Sequence, residues 1–169
     1  SDLASKRVGG APDEINILYA VRTASGGYGT STSRGTKLSA LRMLGDREPK
    51  QYKNGALETE RMAEVVRTFE LPNGKQVTAV SFPSPEAICV PIHSKAHNVR
   101  TFMAVGKSAA RSVHTLRHVA PSFARTFGSF IAKRISAGPE EANRDSNFVV
   151  LAEAVKNGEK KTVAIVGKD

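Results

Sequence analysis

The sequence contains no tryptophan and a single cysteine, and aromatic residues make up only 6% of it. One cysteine excludes an internal disulfide and a cysteine-rich metal site. Such low cysteine usage is compatible with a reducing compartment, so we expect a cytoplasmic protein. Cys89 lies in the apolar run AICVPI, where we expect it to be packed in the core and not to act as a nucleophile.

Long hydrophobic runs are also missing. No apolar stretch approaches the roughly 20 residues that a membrane-spanning helix needs, and the first residues, SDLASKRVGG, contain no apolar segment of a secretory signal. Hydrophobic residues still make up 40% of the 169 residues, which is enough to bury a core. We therefore expect residues 1–169 to form one domain that does not contact a membrane.

Acidic residues are absent from one long stretch of a chain whose net charge is +9. No Asp or Glu occurs from Ala87 to Pro139, and all four histidines lie there. A basic field of this kind attracts nucleic acid, a phosphorylated cofactor or a carboxylate substrate. The alternative is a solvated basic face whose charges are balanced by a part of the protein that lies outside residues 1–169. The basic residues of the stretch are Lys95, Arg100, Lys107, Arg111, Arg117, Arg125, Lys133 and Arg134.

Strands are predicted from apolar, β-rich segments and from the turns between them. The segment EINILYAVR at 14–22 predicts the first strand. Asn54-Gly55, Asn73-Gly74 and Asn157-Gly158 suit the positive φ that two-residue hairpin turns require. We expect hairpins of VVRTFEL with KQVTAVSF and of FVVLAEAVK with KKTVAIVG, and two more strands at AICVPIH and NVRTFMAVG.

Helices are predicted from apolar residues at helical spacing. The first follows the Gly/Ser/Thr-rich loop and contains Leu38, Leu41, Met43 and Leu44. The second runs from Ser108 to Val119, with Ala109, Val113, Leu116 and Val119 along one side. The third contains Phe123, Phe127, Phe130, Ile131 and Ile135, and Gly138-Pro139 ends it. This order of elements predicts an α+β domain, with an antiparallel or mixed sheet and helices mainly on one face.

The loop ASGGYGTSTSRGTK at 24–37 is the first candidate site. Its serine and threonine residues lead into a predicted helix, whose first turn presents free backbone N–H groups and a partial positive charge. Such a turn can bind a carboxylate or a phosphate, and Arg34 can bind a carboxylate through two nitrogens. The alternative is an ordinary capped helix start, and the residues alone do not decide between the two.

The histidines form two pairs with a spacing of four, His93 with His97 and His114 with His118. Zinc sites of this spacing use a third ligand and an adjacent glutamate, and the stretch contains no acidic residue. We therefore expect no metal. His93 follows the predicted strand end VPIH, where loops reach a cleft, and is a candidate proton donor. The alternative is a histidine at the edge of the core.

Several segments resemble one family in the same order. Ser1-Asp2-Leu3 resembles the end of the G-x-D-S-x-P-S-D-L segment of saccharopine dehydrogenase-like oxidoreductases, and Ser33-Arg34-Gly35-Thr36 followed by Ser39-Ala40-Leu41 resembles the family's turn into a helix. Later segments of the family are similar to Ala79-Val80-Ser81-Phe82-Pro83, Val90-Pro91, Asn98-Val99 through Phe102-Met103, and Gly138-Pro139-Glu140-Glu141. The resemblance covers nearly the whole chain.

The resemblance implies a substrate-binding and dimerisation domain of a larger two-domain enzyme of amino-acid metabolism, such as the metabolism of lysine. The family's other domain is a Rossmann domain that binds NAD(P), and the chain has no complete G-x-G-x-x-G of its own. The expected reaction is hydride transfer at a secondary amine or a related group. The expected partners are that Rossmann domain, a small-molecule carboxylate and a second copy in a homodimer.

The site residues that follow are Ser33, Arg34, Gly35 and Thr36 for the substrate carboxylate or a cofactor phosphate, and His93 as the proton donor. One alternative is a basic module that binds nucleic acid, which the low aromatic content disfavours because bases stack on aromatic side chains. Another is a dimerisation domain that takes no part in catalysis.

Overall fold

A computed structural model describes residues 2–22, 27–29, 38–39, 42–43, 48–119, 122, 124, 126, 128, 133 and 147–168. The helices within these residues are α1 (Asp2–Arg7), α2 (Glu86–Ser94) and α3 (Lys107–Leu116). The strands are β1 (Glu14–Arg22), β2 (Tyr28–Gly29), β3 (Lys50–Lys53), β4 (Ala56–Thr59), β5 (Val66–Glu70), β6 (Gln76–Ser81), β7 (Asn98–Ala104), β8 (Asn147–Lys156) and β9 (Glu159–Lys168). Within the same residues, no helix is long and apolar enough to cross a membrane.

The nine strands form one mixed sheet in the order β4-β3-β7-β1-β8-β9, with β2 paired to β1, and β5 joined through β6 to β7. The pair β1–β7 is parallel, and the other described pairs are antiparallel. Helices and a largely antiparallel mixed sheet confirm the predicted α+β class.

The outer face of the sheet carries Ile15 and Val99, which pair across β1 and β7. These residues pack with Ala4 of α1 and Val90 of α2 in one buried cluster. On the same face, Val80 of β6 packs against Ala110 of α3. All three described helices therefore lie on the outer face, which confirms that helices lie mainly on one side.

The inner face is the opposite side of the sheet, and its core is built around Phe69 and Phe102, whose ring centroids are 5.0 Å apart. Arg67 of β5 reaches Glu153 of β8 at 2.7 Å, although β6, β7 and β1 lie between these strands. In a flat sheet four strand spacings would separate them by about 19 Å. The sheet is therefore strongly curled around its inner face.

All three Asn-Gly pairs form turns, and both predicted hairpins are confirmed. Asn157 and Gly158 have φ of 50° and 81°, as a two-residue turn requires. At Asn73-Gly74 only the glycine has positive φ, and the Leu71 N–H donates to the Lys75 carbonyl at 2.9 Å. This loop has three residues, because Pro72 fixes a negative φ where a two-residue turn of this type needs a positive one.

The strand predicted at AICVPIH is wrong, because this segment lies in helix α2. Its β-branched residues favoured a strand. However, the buried positions Ala87, Val90, Pro91 and Ser94 follow the i, i+3, i+4, i+7 spacing of a helix that packs one face. Cys89 points away from that face and is exposed, so the expected burial of its thiol is also wrong.

The other strand and helix predictions are confirmed where the structure describes them. NVRTFMAVG contains β7, and 108–119 contains most of α3. The apolar side predicted for α3 is partly wrong, since Ala110 and Val113 pack inward while Leu116 and Val119 are exposed. Helical backbone also occurs at Leu38, Ser39, Arg42, Met43, Ser122, Ala124, Thr126, Gly128 and Lys133. The predicted residues Leu41, Leu44, Phe123, Phe127, Phe130, Ile131, Ile135, Gly138 and Pro139 lie outside the described residues.

Replacing Gly167 with alanine should destabilise the pairing of β8 with β9. Gly167 lies opposite Phe148 in the register, and a Cβ at this position would overlap the Phe148 ring. We expect a loss of about 1–3 kcal/mol in the free energy of unfolding, measured by urea denaturation. Combining Gly167→Ala with Phe148→Leu should recover part of this loss. If the double variant loses as much stability as the two single variants together, a clash with the Phe148 ring is not the cause of the destabilisation.

Candidate functional site

A row of polar side chains crosses the apolar inner face. In the sheet register Asn16 of β1 pairs with Arg100 of β7 on one side and with Glu153 of β8 on the other. Paired residues point to the same face of a sheet, so the three side chains lie side by side. Glu60, which follows β4, extends the row beyond Arg100. We call these four residues, Glu60, Arg100, Asn16 and Glu153, the polar row.

At one end of the row, Glu60 is held by two cations. Arg100 donates to both of its carboxylate oxygens at 2.9 Å, and the Lys53 Nζ lies 2.5 Å from Oε2. The Glu60 side chain is 1% exposed. Burial alone would raise the pKa of Glu60, but the hydrogen bonds from Arg100 and Lys53 outweigh it and hold the pKa below 4.5. This carboxylate is therefore ionised at neutral pH.

At the other end, Glu153 is also held by two cations. The Arg67 Nη2 lies 2.7 Å from Oε1 and the Lys160 Nζ lies 3.1 Å from Oε2. Glu153 is buried, whereas the Lys160 side chain is half exposed. Arg67 also lies over the Phe69 ring, with its guanidinium carbon 4.9 Å from the ring centroid. Two cations around one carboxylate leave an excess of positive charge at this end, as at the other.

The side chain of Asn16, between the two charged ends, has no hydrogen-bond partner among the described residues. Its side-chain oxygen and nitrogen are both buried and unpartnered, and the residue is 0% exposed. An amide buried in this way costs about 1–3 kcal/mol relative to one that is hydrogen-bonded. The two neighbouring charged groups are occupied by their own partners, which leaves both a donor and an acceptor available on the inner face. Unpaired buried polar groups of this kind are rare in folded proteins.

A ligand can reach Asn16 only if a covering side chain moves. Arg100 within the row, and Arg67 and Lys160 at its Glu153 end, are each partly exposed. Because these three cations pair with the buried carboxylates Glu60 and Glu153, such a movement is favourable only where a ligand supplies a replacement charge or hydrogen bond. A ligand carboxylate would therefore compete with Glu60 or Glu153 for these cations, and a ligand donor or acceptor would bind the Asn16 amide.

A second polar pair lies on the outer face. The Tyr19 hydroxyl donates to Glu86 at the start of α2. Burial is the largest cause that raises the pKa of Tyr19, and the hydrogen bond to Glu86 raises it further. Burial alone would raise the pKa of Glu86, but hydrogen bonds from Ser84 and Tyr19 hold it below 4.5. The pair fixes α2 against β1 and is separated from the polar row by the sheet.

The residues predicted as site residues are not brought to the polar row. Ser33, Arg34, Gly35 and Thr36 lie outside the described residues, so their role stays a prediction. His93 is exposed in the last turn of α2, which covers the outer face. It does not follow a strand, because its segment is helical, so the reason for choosing it is wrong. Its role as a proton donor stays a prediction.

The basic stretch is balanced in part from within the chain. Arg100 is paired with Glu60, and Arg117 lies 3.4 Å from Glu64. Both carboxylates come from the segment before β5, outside the acid-free stretch. Lys95, Lys107 and Arg111 are exposed. For Arg100 and Arg117, carboxylates of this chain supply the balancing charge, so the expected balance by a part outside residues 1–169 is wrong for these two cations.

The sequence contained a signal for the polar row that the analysis of motifs missed. Asn16 stands between two isoleucines in a strand, and Glu153 stands between two alanines in another. Polar residues at such positions are either solvent-facing in a half-buried strand or functional in a buried one. The register that aligns Asn16 with Glu153 depends on the sheet topology, which the sequence did not provide.

The chain matches no family model and no curated protein.

Proposed function

We propose that this chain is the substrate-binding domain of a saccharopine dehydrogenase-like oxidoreductase, with the inner face of its sheet forming one wall of the substrate cleft. The observation that carries the proposal is the Asn16 amide, which is fully buried between two charged clusters and has no hydrogen-bond partner in the part of the chain that the structure describes. The helices α1, α2 and α3 pack on the outer face, and the polar row lies on the opposite, inner face. The sequence resemblance supplies the family.

The described residues alone do not form a dinucleotide-binding fold. A dinucleotide fold needs several parallel strands joined by helices, with a glycine-rich turn after the first strand. Here one pair of described strands is parallel, and Thr32 stands where the third glycine would be required. In this proposal NAD(P) is therefore bound mainly by a Rossmann domain of the same polypeptide.

The nicotinamide would supply the hydride, and the residues of this chain would bind and orient the substrate. Lys160 and Arg67 are partly exposed cations that suit a substrate carboxylate. The Asn16 amide can donate to a carbonyl or accept from an amine, which would fix the carbon that exchanges hydride. Apolar residues on either side of the row keep the reacting atoms away from water.

The proposal is tested by measuring NADH or NADPH oxidation by the polypeptide that contains this domain and a dinucleotide-binding domain. We expect turnover with small keto acids supplied together with an amine. Arg34→Ala should raise the KM for the carboxylate substrate about ten-fold while the fold is retained, because a charge-assisted hydrogen bond is lost. Kinetics unchanged by this substitution would remove the loop from the mechanism. No oxidation of either cofactor across a broad panel of substrates would overturn the proposal.

The nucleic-acid alternative is separated by a salt titration with a labelled random oligonucleotide. We expect no binding at moderate salt, because Arg100 and Arg117 are already paired with carboxylates. Micromolar binding that collapses as salt rises would favour a nucleic-acid-binding module.

A further inference from the structure

A groove on the inner face lies directly beside the Glu153 end of the polar row. It occupies about 610 Å³ between the β5–β6 turn and the β8–β9 hairpin. This volume falls within the range of small-molecule sites, about 300–1,000 Å³. The groove is lined by charged residues, among them Glu70, Glu153 and Lys160, and by apolar residues, among them Leu71, Ala164 and Val166.

One wall of the groove changes from charged to apolar along a single strand. Every second residue of β9 faces it, from Lys160 through Thr162 and Ala164 to Val166. At about 3.4 Å per residue, Lys160 and Val166 are some 20 Å apart along the strand. The facing wall is apolar at Leu71 and Pro72. The site therefore has one polar end and one apolar end.

The polar end favours an anion. Glu153 is buried, and its two oxygens lie beside Arg67 and Lys160, whose positive charges would repel a cationic ligand. The Lys160 ammonium is half exposed and has three N–H donors, of which Glu153 takes one. Glu70 lines the groove and is exposed to solvent, where its charge is screened.

The geometry points to an amphipathic ligand: an aliphatic chain along Ala164 and Val166 with a carboxylate against Lys160. This inference rests on the proposed function in one respect: it identifies the amphipathic ligand with the substrate of the oxidoreductase. It narrows the substrate class to carboxylates with a long apolar chain, whereas the polar row alone would accept short polar ones.

Binding is tested with decanoate as the probe, by calorimetric titration of the protein without cofactor. Val166→Asp should weaken decanoate binding at least about ten-fold, because it places a carboxylate in the apolar half of the groove. Ile165→Asp is the matched control. The two side chains are almost equally exposed, at 63% and 64%, but they point to opposite faces of β9. Ile165→Asp should leave binding unchanged. An equal loss of decanoate binding in both variants would show that decanoate does not bind in the groove.

The head group is tested by a second matched pair. Lys160→Met should weaken decanoate binding about ten-fold through the loss of a charge-assisted contact. Lys161→Met should have no effect, because Lys161 points to the other face and pairs with Glu159. Decylamine and decanol should bind more weakly than decanoate. Equal or tighter binding of either would overturn the carboxylate assignment.

The outcomes separate this inference from the proposed function. Suppose that decanoate binds with the expected variant pattern, but the longer polypeptide does not oxidise NADH or NADPH. The proposed ligand site in the groove is then retained, and the proposed oxidoreductase function is rejected. Turnover of short carboxylates that is insensitive to Val166→Asp, with no binding of decanoate, would retain the oxidoreductase and reject the groove.

Discussion

Replacing Asn16 with leucine should make the protein more stable and should weaken binding of a ligand that uses the Asn16 amide. The two side chains have the same number of heavy atoms and the same branching at Cγ, and leucine is the larger, so the substitution does not open a cavity. It removes a buried amide that has no partner, and we expect the free energy of unfolding to rise by about 1–2 kcal/mol. Binding or turnover should fall at least about ten-fold if a ligand uses the amide, because a hydrogen bond to a polar ligand is lost.

The matched control is Thr101→Val on the neighbouring strand. Thr101 is also 0% exposed, but its hydroxyl donates to the Phe82 carbonyl at 2.5 Å and accepts from Ser84 at 2.9 Å. Losing these bonds should lower stability by about 1–2 kcal/mol without changing ligand binding. The two variants should therefore shift the urea midpoint in opposite directions. If Asn16→Leu also destabilises the protein, the amide has a structural role and is not held for a ligand.

A second readout follows the amide itself. The Asn16 side-chain N–H signals should shift in an NMR titration when a carboxylate ligand binds, whereas those of Asn73, which bonds to Tyr28 in an exposed turn, should not. Shifts confined to other side chains would place the ligand away from the polar row.

Local patterns in the sequence were sufficient for most elements of the fold. Asn157-Gly158 predicts its hairpin because few residue pairs accept two consecutive positive φ values. The α+β class follows from the order of such elements. The strand predicted at AICVPIH was wrong because β-branched residues are common in strands, whereas here tertiary packing of one helical face outweighs that propensity. Pro91 is evidence in the sequence against a strand at this segment, since proline interrupts a central strand.

The candidate site could not be predicted in the same way, because its parts come from distant segments. Glu60, Arg100 and Glu153 meet only when β7 and β8 flank β1 and the sheet curls. The pairing of Asn16 with Glu153 depends on a register in which a shift of one residue would move Asn16 to the other face. Sequence motifs report on local chemistry, and for this reason they directed attention to the loop at 24–37 and to His93.

The largest loss of stability should come from Arg100→Leu. This change leaves Glu60, whose side chain is 1% exposed, with Lys53 as its remaining described ion-pair partner. Removing one partner of a buried ion pair costs about 3–5 kcal/mol, because the other charge stays desolvated. The double variant Arg100→Leu with Glu60→Leu should be more stable than Arg100→Leu alone, because it also removes the buried charge. If the single variant costs less than about 1 kcal/mol, the cluster is hydrated in solution and the polar row is not a buried site.

The same cluster should set the acid sensitivity of the protein. The pKa of Glu60 in the folded protein lies below its ordinary value of 4.5, so its ionised form stabilises the fold above that value. This stabilisation is lost as the pH falls through the lowered pKa. Urea midpoints measured from about pH 7 down to about pH 3 should fall in the wild type and depend less on pH in Glu60→Gln. Glu159→Gln is the control, because Lys161 lowers the pKa of Glu159 as well, but this carboxylate is exposed. Its loss should leave the pH dependence unchanged, since solvent screens the pair in both states. An equal change in both glutamine variants would mean that burial of Glu60 between Arg100 and Lys53 does not control the acid response.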